Sequence, residues 1–265
     1  MTAGDKRATA RELMLGKRVL VIAHRGDSKV APENTLPAFR SAIAAGADMV
    51  ELDYLHSQDG VPMVFHDTDL DRTTSAIADW GLRRARLADI RRDRLQTLDA
   101  GSWFDPRFAG TGISTLEEAL DVIQQSSLTV IEHKSGDAAT CVELLKRKGY
   151  IEHVVVQSFD WRFLAECHRL APELALVALG DHKLTEQKLS GAEGLGVIGI
   201  GWNDKYTDAK GVAAIHGHGW KAWVWTADTP ERWRLLIAMG IDGIITNRPG
   251  ELAATLTSSP SDAAS

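Results

Sequence analysis

The sequence predicts an α/β fold in which eight parallel strands close into a barrel with helices outside, a (β/α)8 barrel. Three observations carry that expectation. Short apolar, β-branched runs alternate with segments of helical periodicity, the pattern of a parallel sheet whose crossovers are helices. Nine such runs occur, at 19–23, 47–53, 61–66, 128–134, 153–159, 174–179, 196–202, 221–226 and 242–246. The third follows the second across a short link containing Asp59 and Gly60, which forces the two to pair antiparallel and leaves eight for the ring. An open doubly wound sheet is the rival, and it lacks its marker: no G-x-G-x-x-G turn follows the first strand.

The elements follow in order. After the first strand, apolar residues recur at helical spacing over 35–46, then over 114–125, 137–149, 160–171, 208–219 and 229–240. Several of these segments open on Ser, Thr or Asp and close on Gly, the chemistry of helix caps. The hairpin formed by the second and third runs stands at the carboxyl-terminal mouth of the ring. Residues 68–114 fit neither period and are expected as an insertion at that mouth, a small subdomain; segments this long inside a compact domain commonly wall a site. The whole chain, 1–265, is expected as one domain, with a disordered polar tail at 258–265.

Composition sets outer limits. A chain of 265 residues, 44% of them hydrophobic, can bury a sizeable core as one unit. A net charge of -6 speaks against a nucleic-acid surface, which needs a basic face. No apolar run reaches the length that spans a bilayer, and the first nineteen residues have no apolar stretch of the secretory kind. Cys141 and Cys167 fall on core-facing helical positions and are expected as buried thiols of a cytoplasmic protein rather than as a disulfide.

The chemistry sits at the strand ends. In such a barrel the carboxyl ends of the strands face the active site. Glu51 and Asp53, two apart on one strand, point to the same side; Glu132 and Lys134 repeat the arrangement on the next ring strand. Three carboxylates converging on one mouth repel unless a cation neutralises them. Hard oxygen ligands without His or Cys at zinc spacing suit Mg2+ or Ca2+, and both stay open. Salt bridges from Arg25 and Lys134 are the alternative account of the same acids. The hairpin would bring His66 and Asp67 over the mouth that receives His24, and two imidazoles flanking one site suit acid–base work near neutral pH. His133 is expected to point away, on the opposite strand face. Arg25 and Lys134 supply positive charge for a phosphoryl group. Glu33 and Asn34 either cap the first helix or help position His24.

The ordered motifs HRG at 24–26, PENT at 32–35, VELD at 50–53, HD at 66–67, RTT at 72–74, E-x-K at 132–134, WT at 225–226 and GIDGIITNRP at 240–249 resemble the glycerophosphodiester phosphodiesterase family. The similarity runs from about residue 19 to 256. It implies a TIM barrel with a small insertion, a divalent metal on Glu51, Asp53 and Glu132, His24 and His66 as the acid–base pair, and Arg25 and Lys134 on the phosphate. It implies hydrolysis of glycerophosphodiesters to glycerol 3-phosphate and an alcohol, the substrate's own 2-hydroxyl attacking phosphorus first. Trp225 and Phe159 would wall the glycerol pocket, with ordinary core packing as their alternative. Asp228 stands where the family often has Asn, and Asn247 where it often has Asp, which bears on substrate fit more than on catalysis. Trp80, Trp103, Phe104 and Phe108 crowd the insertion and are expected chiefly to form its own core, with lining the alcohol's exit as the alternative. Lysophospholipids, as for lysophospholipase D or sphingomyelinase D relatives, are the alternative substrates; a catalytically silent phosphodiester-binding protein is the rival of another class. No nucleic-acid partner is expected, and the number of subunits is left open.

Overall fold

The computed structural model describes residues 7–258. Its nine strands are β1 (Leu20–Ala23), β2 (Met49–His56), β3 (Pro62–Val64), β4 (Leu128–His133), β5 (Val154–Ser158), β6 (Ala175–Gly180), β7 (Gly199–Asn203), β8 (Lys221–Trp225) and β9 (Gly243–Thr246). Their order is β1-β9-β8-β7-β6-β5-β4-β2-β3, and a further β1–β2 pairing closes the ring. Eight strands are parallel; β3 alone runs antiparallel, on β2. The expected TIM barrel with an external hairpin is therefore the observed architecture.

The helices are α1 (Ala10–Met14), α2 (Leu36–Ala44), α3 (Ala76–Trp80), α4 (Arg92–Leu95), α5 (Leu116–Ile123), α6 (Ala138–Lys148), α7 (Trp161–Leu170), α8 (Glu186–Ala192), α9 (Ala209–Gly217), α10 (Pro230–Ala238) and α11 (Pro249–Ser258). The six periodic segments all appear, and their caps are those the residues promised: Thr115 and Glu118 close a capping box on α5, and Asp160 accepts from two backbone N–H groups of α7. Five helices went unread, two of them, α3 and α4, short turns inside the insertion. α8 is a short polar segment capped by Thr185, α11 starts at Pro249, and α1 precedes the first strand. With α8 and α11 each ring strand has its helix.

Two shells of packing hold the barrel. Alternate residues of each strand point inward, so Leu20, Ile22, Met49, Val130, Val177 and Trp223 fill the ring. Ala10 and Met14 of α1 join that cluster at its base. Trp223 fits because neighbouring β9 starts with glycine: a Cβ on Gly243 would lie 2.6 Å from the indole. The other alternation, with Val50, Leu52, Tyr54 and Val156, packs against the helices, where the buried thiols Cys141 and Cys167 also lie, both free.

Residues 68–114 gather a third core of Leu70, Ala76, Leu87, Ile90, Leu95, Leu98 and Ile113 over Leu55, Met63 and Phe65 of the hairpin. This corrects one expectation. The aromatics of the insertion do not build its core, because aliphatic residues already fill it and only Trp80 packs against them in part. Trp103 is 41% exposed, and Trp103, Phe104 and Phe108 stack edge-to-face near the surface. β3 is also shorter than the expected 61–66: it ends at Val64 as Val64 N–H donates to Ser114 O and Phe65 N–H to Asp53 O, which leaves His66 on a turn. The polar tail beyond Ser258 lies outside the described residues. No helix among the described residues is long and apolar enough to cross a membrane.

Candidate active site

The site starts where β1 stops. His24 still pairs with the ring, its N–H donating to Thr246 O at 2.9 Å. Arg25 and Gly26 then turn the chain with φ of 55° and 82°, both left-handed. A Cβ on Gly26 would lie 2.7 Å from the backbone of Ala38, so the turn accepts only glycine there. Arg25 pays the left-handed strain of an ordinary residue, and its N–H donates to Glu51 Oε2 at 2.7 Å. The backbone at the strand end thereby fixes one oxygen of the first carboxylate.

Asp53 and Glu132 are register partners across β2 and β4, and Glu51 lies one inward position below Asp53. Each of the three offers an oxygen within 4.8 Å of the others, and all three side chains are buried. The ion pairs that stood as the alternative account are also present. Arg25 Nε lies 3.2 Å from Asp53 Oδ2, Lys134 Nζ lies 3.2 Å from Asp53 Oδ1, and Lys134 donates to Glu132. They answer two acids and leave the third: Glu51 Oε1 is buried with no hydrogen-bond partner.

Electrostatics follow from that imbalance. Burial, then the charges of Asp53 and Glu132, push Glu51 well above the usual carboxylate range. Burial and Asp53 push Glu132 up to about 7. Burial would raise Asp53 too, but Lys134 and Arg25 outweigh it and hold it low. A buried, unpartnered carboxylate oxygen beside two further acids fits a hard divalent cation and fits poorly with a purely structural ion-pair cluster.

Asn34 and Glu33 serve this cluster. Asn34, also left-handed at φ 57°, donates from Nδ2 to Asp53 Oδ2 at 2.8 Å and accepts the Asp53 N–H on Oδ1 at 3.1 Å. Glu33 accepts from Arg25 at 2.7 Å and from Arg72 at 2.7 and 2.8 Å. The cap of α2 is Thr35, so neither residue has the capping role. Nor do their hydrogen bonds reach His24, whose ring is held from the opposite side by Asn247 at 2.7 Å.

His24 and His66 take their places as the topology required. His24 is half-buried, and this burial together with the charge of Arg25 pulls its pKa down to about 4. His66 is partly exposed, and its Nδ1 lies 2.6 Å from Asp67 Oδ1. Asp67 is in turn anchored by Arg72 Nε at 2.6 Å, and burial notwithstanding, the bonds from Arg72 and His66 hold its pKa down at about 2. His66 lies close enough to lower the pKa of Asp53 by its charge. His133 points out of the ring and stacks on Phe163 at 3.5 Å between centroids. His182, His216 and His218 pair with Asp181, Asp242 and Glu186.

Phe159, past the end of β5, is 42% exposed and meets half-buried Trp225 edge-to-face at 5.4 Å. Both therefore stand at the mouth, and core packing does not account for Phe159. Four contributors were given no such role from sequence. Arg72 ties the insertion to Glu33 and Asp67; it lies in the RTT motif, but nothing local gives it a partner. Gln157, inward on β5, donates to Glu132 Oε2 at 3.4 Å and is found by its register beside Glu132. Asn247 and Asp228 were marked only as departures from a pattern.

Residues 24–251 match the profile described as the Glycerophosphoryl diester phosphodiesterase family. Among curated proteins, a glycerophosphodiester phosphodiesterase of Caldanaerobacter subterraneus subsp. tengcongensis is 34% identical over 244 residues, covering 89% of this chain and 96% of the relative. One of Bacillus subtilis is 33% identical over 265 residues, covering 91% and 88%. Among solved structures, a phosphodiesterase of Oleispira antarctica in complex with the product sn-glycerol-3-phosphate superposes with a TM-score of 0.82 at 29% identity, covering 90% of this chain and 97% of that one.

Proposed function

From the premise that the chain belongs to the glycerophosphoryl diester phosphodiesterase family, we propose that it hydrolyses glycerophosphodiesters to glycerol 3-phosphate and an alcohol at the mouth of the barrel. The observation that carries this reading is the buried trio Glu51, Asp53 and Glu132 set among Arg25, Lys134 and two imidazoles. Glu51, Asp53 and Glu132 would hold one divalent cation, Mg2+ or Ca2+. Bound there, it would supply Lewis-acid stabilisation of charge on the phosphoryl oxygens.

The protein's own groups do the rest. Arg25 and Lys134 bind the nonbridging oxygens by charge-assisted hydrogen bonds and stabilise the negative charge that builds there. One imidazole of the pair His24 and His66 takes the proton of the attacking hydroxyl as its oxygen bonds to phosphorus. The other gives a proton to the departing alkoxide as its P–O bond breaks. The attacking hydroxyl is the glycerol 2-OH; water opens the resulting cyclic phosphate with the proton roles reversed. Asn34 and Glu33 keep Asp53 and Arg25 in place, and Phe159 with Trp225 gives the glycerol carbons an apolar wall.

The test is release of glycerol 3-phosphate from glycerophosphocholine, glycerophosphoethanolamine and a lysophospholipid, with and without chelator. Turnover of the small diesters, abolished by chelator and lowered at least ~10²-fold by His24→Ala or His66→Ala, is the expected result. Exposed Trp103, stacked with half-buried Phe104 and Phe108, favours one second reading, lysophospholipids as substrates; faster turnover of the lysophospholipid would select it. No turnover of any diester with the cation supplied would leave a phosphodiester-binding protein.

A further inference from the structure

His24 is held at its outer nitrogen by a chain of side chains that the proposed reaction has not used. Its Nδ1 lies 2.7 Å from Asn247 Oδ1. The other end of that amide, Nδ2, donates to Asp228 Oδ2 at 2.5 Å. Asp228 Oδ1 accepts from Asn247 N–H at 2.8 Å and from Thr246 Oγ1 at 2.9 Å, so the carboxylate is fixed at both oxygens. Ser28 Oγ donates to Asn247 Oδ1 at 2.8 Å.

A primary amide alone could face either way, but here its neighbour decides. A carboxylate has only acceptors, so Asp228 must face the amide NH2. The carbonyl oxygen of Asn247 therefore faces His24. That oxygen can only accept, so the imidazole Nδ1 must carry the hydrogen. A neutral imidazole with its hydrogen on Nδ1 has its lone pair on Nε2.

We propose that Asp228, Asn247 and Ser28 form a positioning relay that locks His24 in the Nδ1–H tautomer and makes its Nε2 the proton acceptor of the attack step. Asp228 makes its hydrogen bonds to Thr246 and Asn247, none to His24, and acts through Asn247. In that step the hydroxyl O–H bond breaks, its electron pair forms the new bond to phosphorus, and the proton moves to His24 Nε2. The imidazolium so formed still donates from Nδ1 to Asn247. The departing alkoxide takes its proton from His66. An amide beside Nδ1 orients the ring without setting a full negative charge against it, which keeps the imidazole neutral before attack.

The assignment rests on His24 being a proton-transfer group, and the experiment separates the two claims. Steady-state kinetics on glycerophosphocholine would compare wild type, His24→Ala, Asn247→Leu, Asn247→Asp and the swap Asp228→Asn/Asn247→Asp. Asn247→Leu is expected to lower kcat by about 10–100-fold while KM changes far less, the range seen when a partner that orients a working imidazole is lost. Asn247→Asp sets two carboxylates against each other and is expected to fall at least ~10-fold. The swap restores the network, with donor and acceptor exchanged only between the side chains at 228 and 247 and with the oxygen facing His24 still an acceptor, and should recover most of that loss. A 15N spectrum of wild-type protein labelled at histidine, with His24 assigned by its absence in His24→Ala, should show the hydrogen on Nδ1; this readout does not depend on any Asn247 variant folding. A hydrogen on Nε2, no rescue by the swap, or normal turnover by Asn247→Leu beside an inactive His24→Ala would overturn the relay alone. Normal turnover by His24→Ala would remove the proton-transfer reading and the relay with it.

Discussion

Glu132→Gln should stabilise the cation-free protein, although it removes a group assigned to the active site. In the folded chain the Glu132 carboxyl is pushed from an ordinary value of 4.5 up to about 7 by burial and by Asp53. Between those pH values the folded chain holds a proton that the unfolded chain has released, so stability falls as pH rises through that window and stays lower above it. At about 1.4 kcal/mol per pH unit the loss by pH 8 is about 3 kcal/mol. Gln mimics the protonated acid: its carbonyl can accept from Lys134, and its NH2 can face Gln157 Oε1, which has no partner in the wild-type arrangement. At about 2 °C per kcal/mol for a chain of this size, the variant should melt about 6 °C above wild type at pH 8 in chelator, and with little difference at pH 5. Adding a divalent cation at about a hundred times its Kd should raise wild type by about 2.7 kcal/mol and the variant by far less. Thermal unfolding in four conditions, two pH values with and without cation, decides it. A variant that melts below wild type at pH 8 in chelator, or that gains as much from the cation, would refute the argument that uncompensated acid charge shapes this cluster.

Other outcomes follow from the same geometry. Cation affinity, measured by calorimetric titration, should weaken at least about tenfold per pH unit below pH 7, because the proton on Glu132 must leave first; an affinity flat from pH 5 to 8 would contradict this. Gly26→Ala should destabilise by more than about 2 kcal/mol in urea unfolding, since its Cβ would meet the Ala38 backbone at a left-handed φ. Phe159→Ala should leave stability within about 0.5 kcal/mol, as expected for an exposed side chain, while raising KM for the diester; an unchanged KM would take Phe159 out of the glycerol wall.

The barrel was legible because its signals are local and repeated. Eight β-branched runs, a short link containing Asp59 and Gly60, and caps such as Thr115 with Glu118 each state one element, and register then carries Glu51, Asp53 and Glu132 to one mouth. What went unread depends on distant partners. α1 is too short to announce itself by period, and its place under the barrel comes from Met14 meeting residues far along the chain. The insertion's aromatics looked like core because aromatics usually are; whether they are needed depends on how much space Leu70, Leu87 and Leu95 already fill. Asn34 and Glu33 could be placed near the site, but which acid or base they hold is set by the left-handed turns at Arg25 and Asn34. Asn247 and His24 lie 223 residues apart, and only closure of β9 onto β1 brings them together.

The most direct test of the account is a titration of metal-stripped enzyme with Mg2+ and, separately, with Ca2+, following glycerol 3-phosphate release and bound cation together. Turnover should start near zero and rise in proportion to bound ion until one equivalent per chain, with Glu51→Gln binding weakly and turning over poorly. Full turnover in the stripped enzyme, or tight binding that survives loss of Glu51, would contradict the claim that these three acids hold a cation the reaction needs.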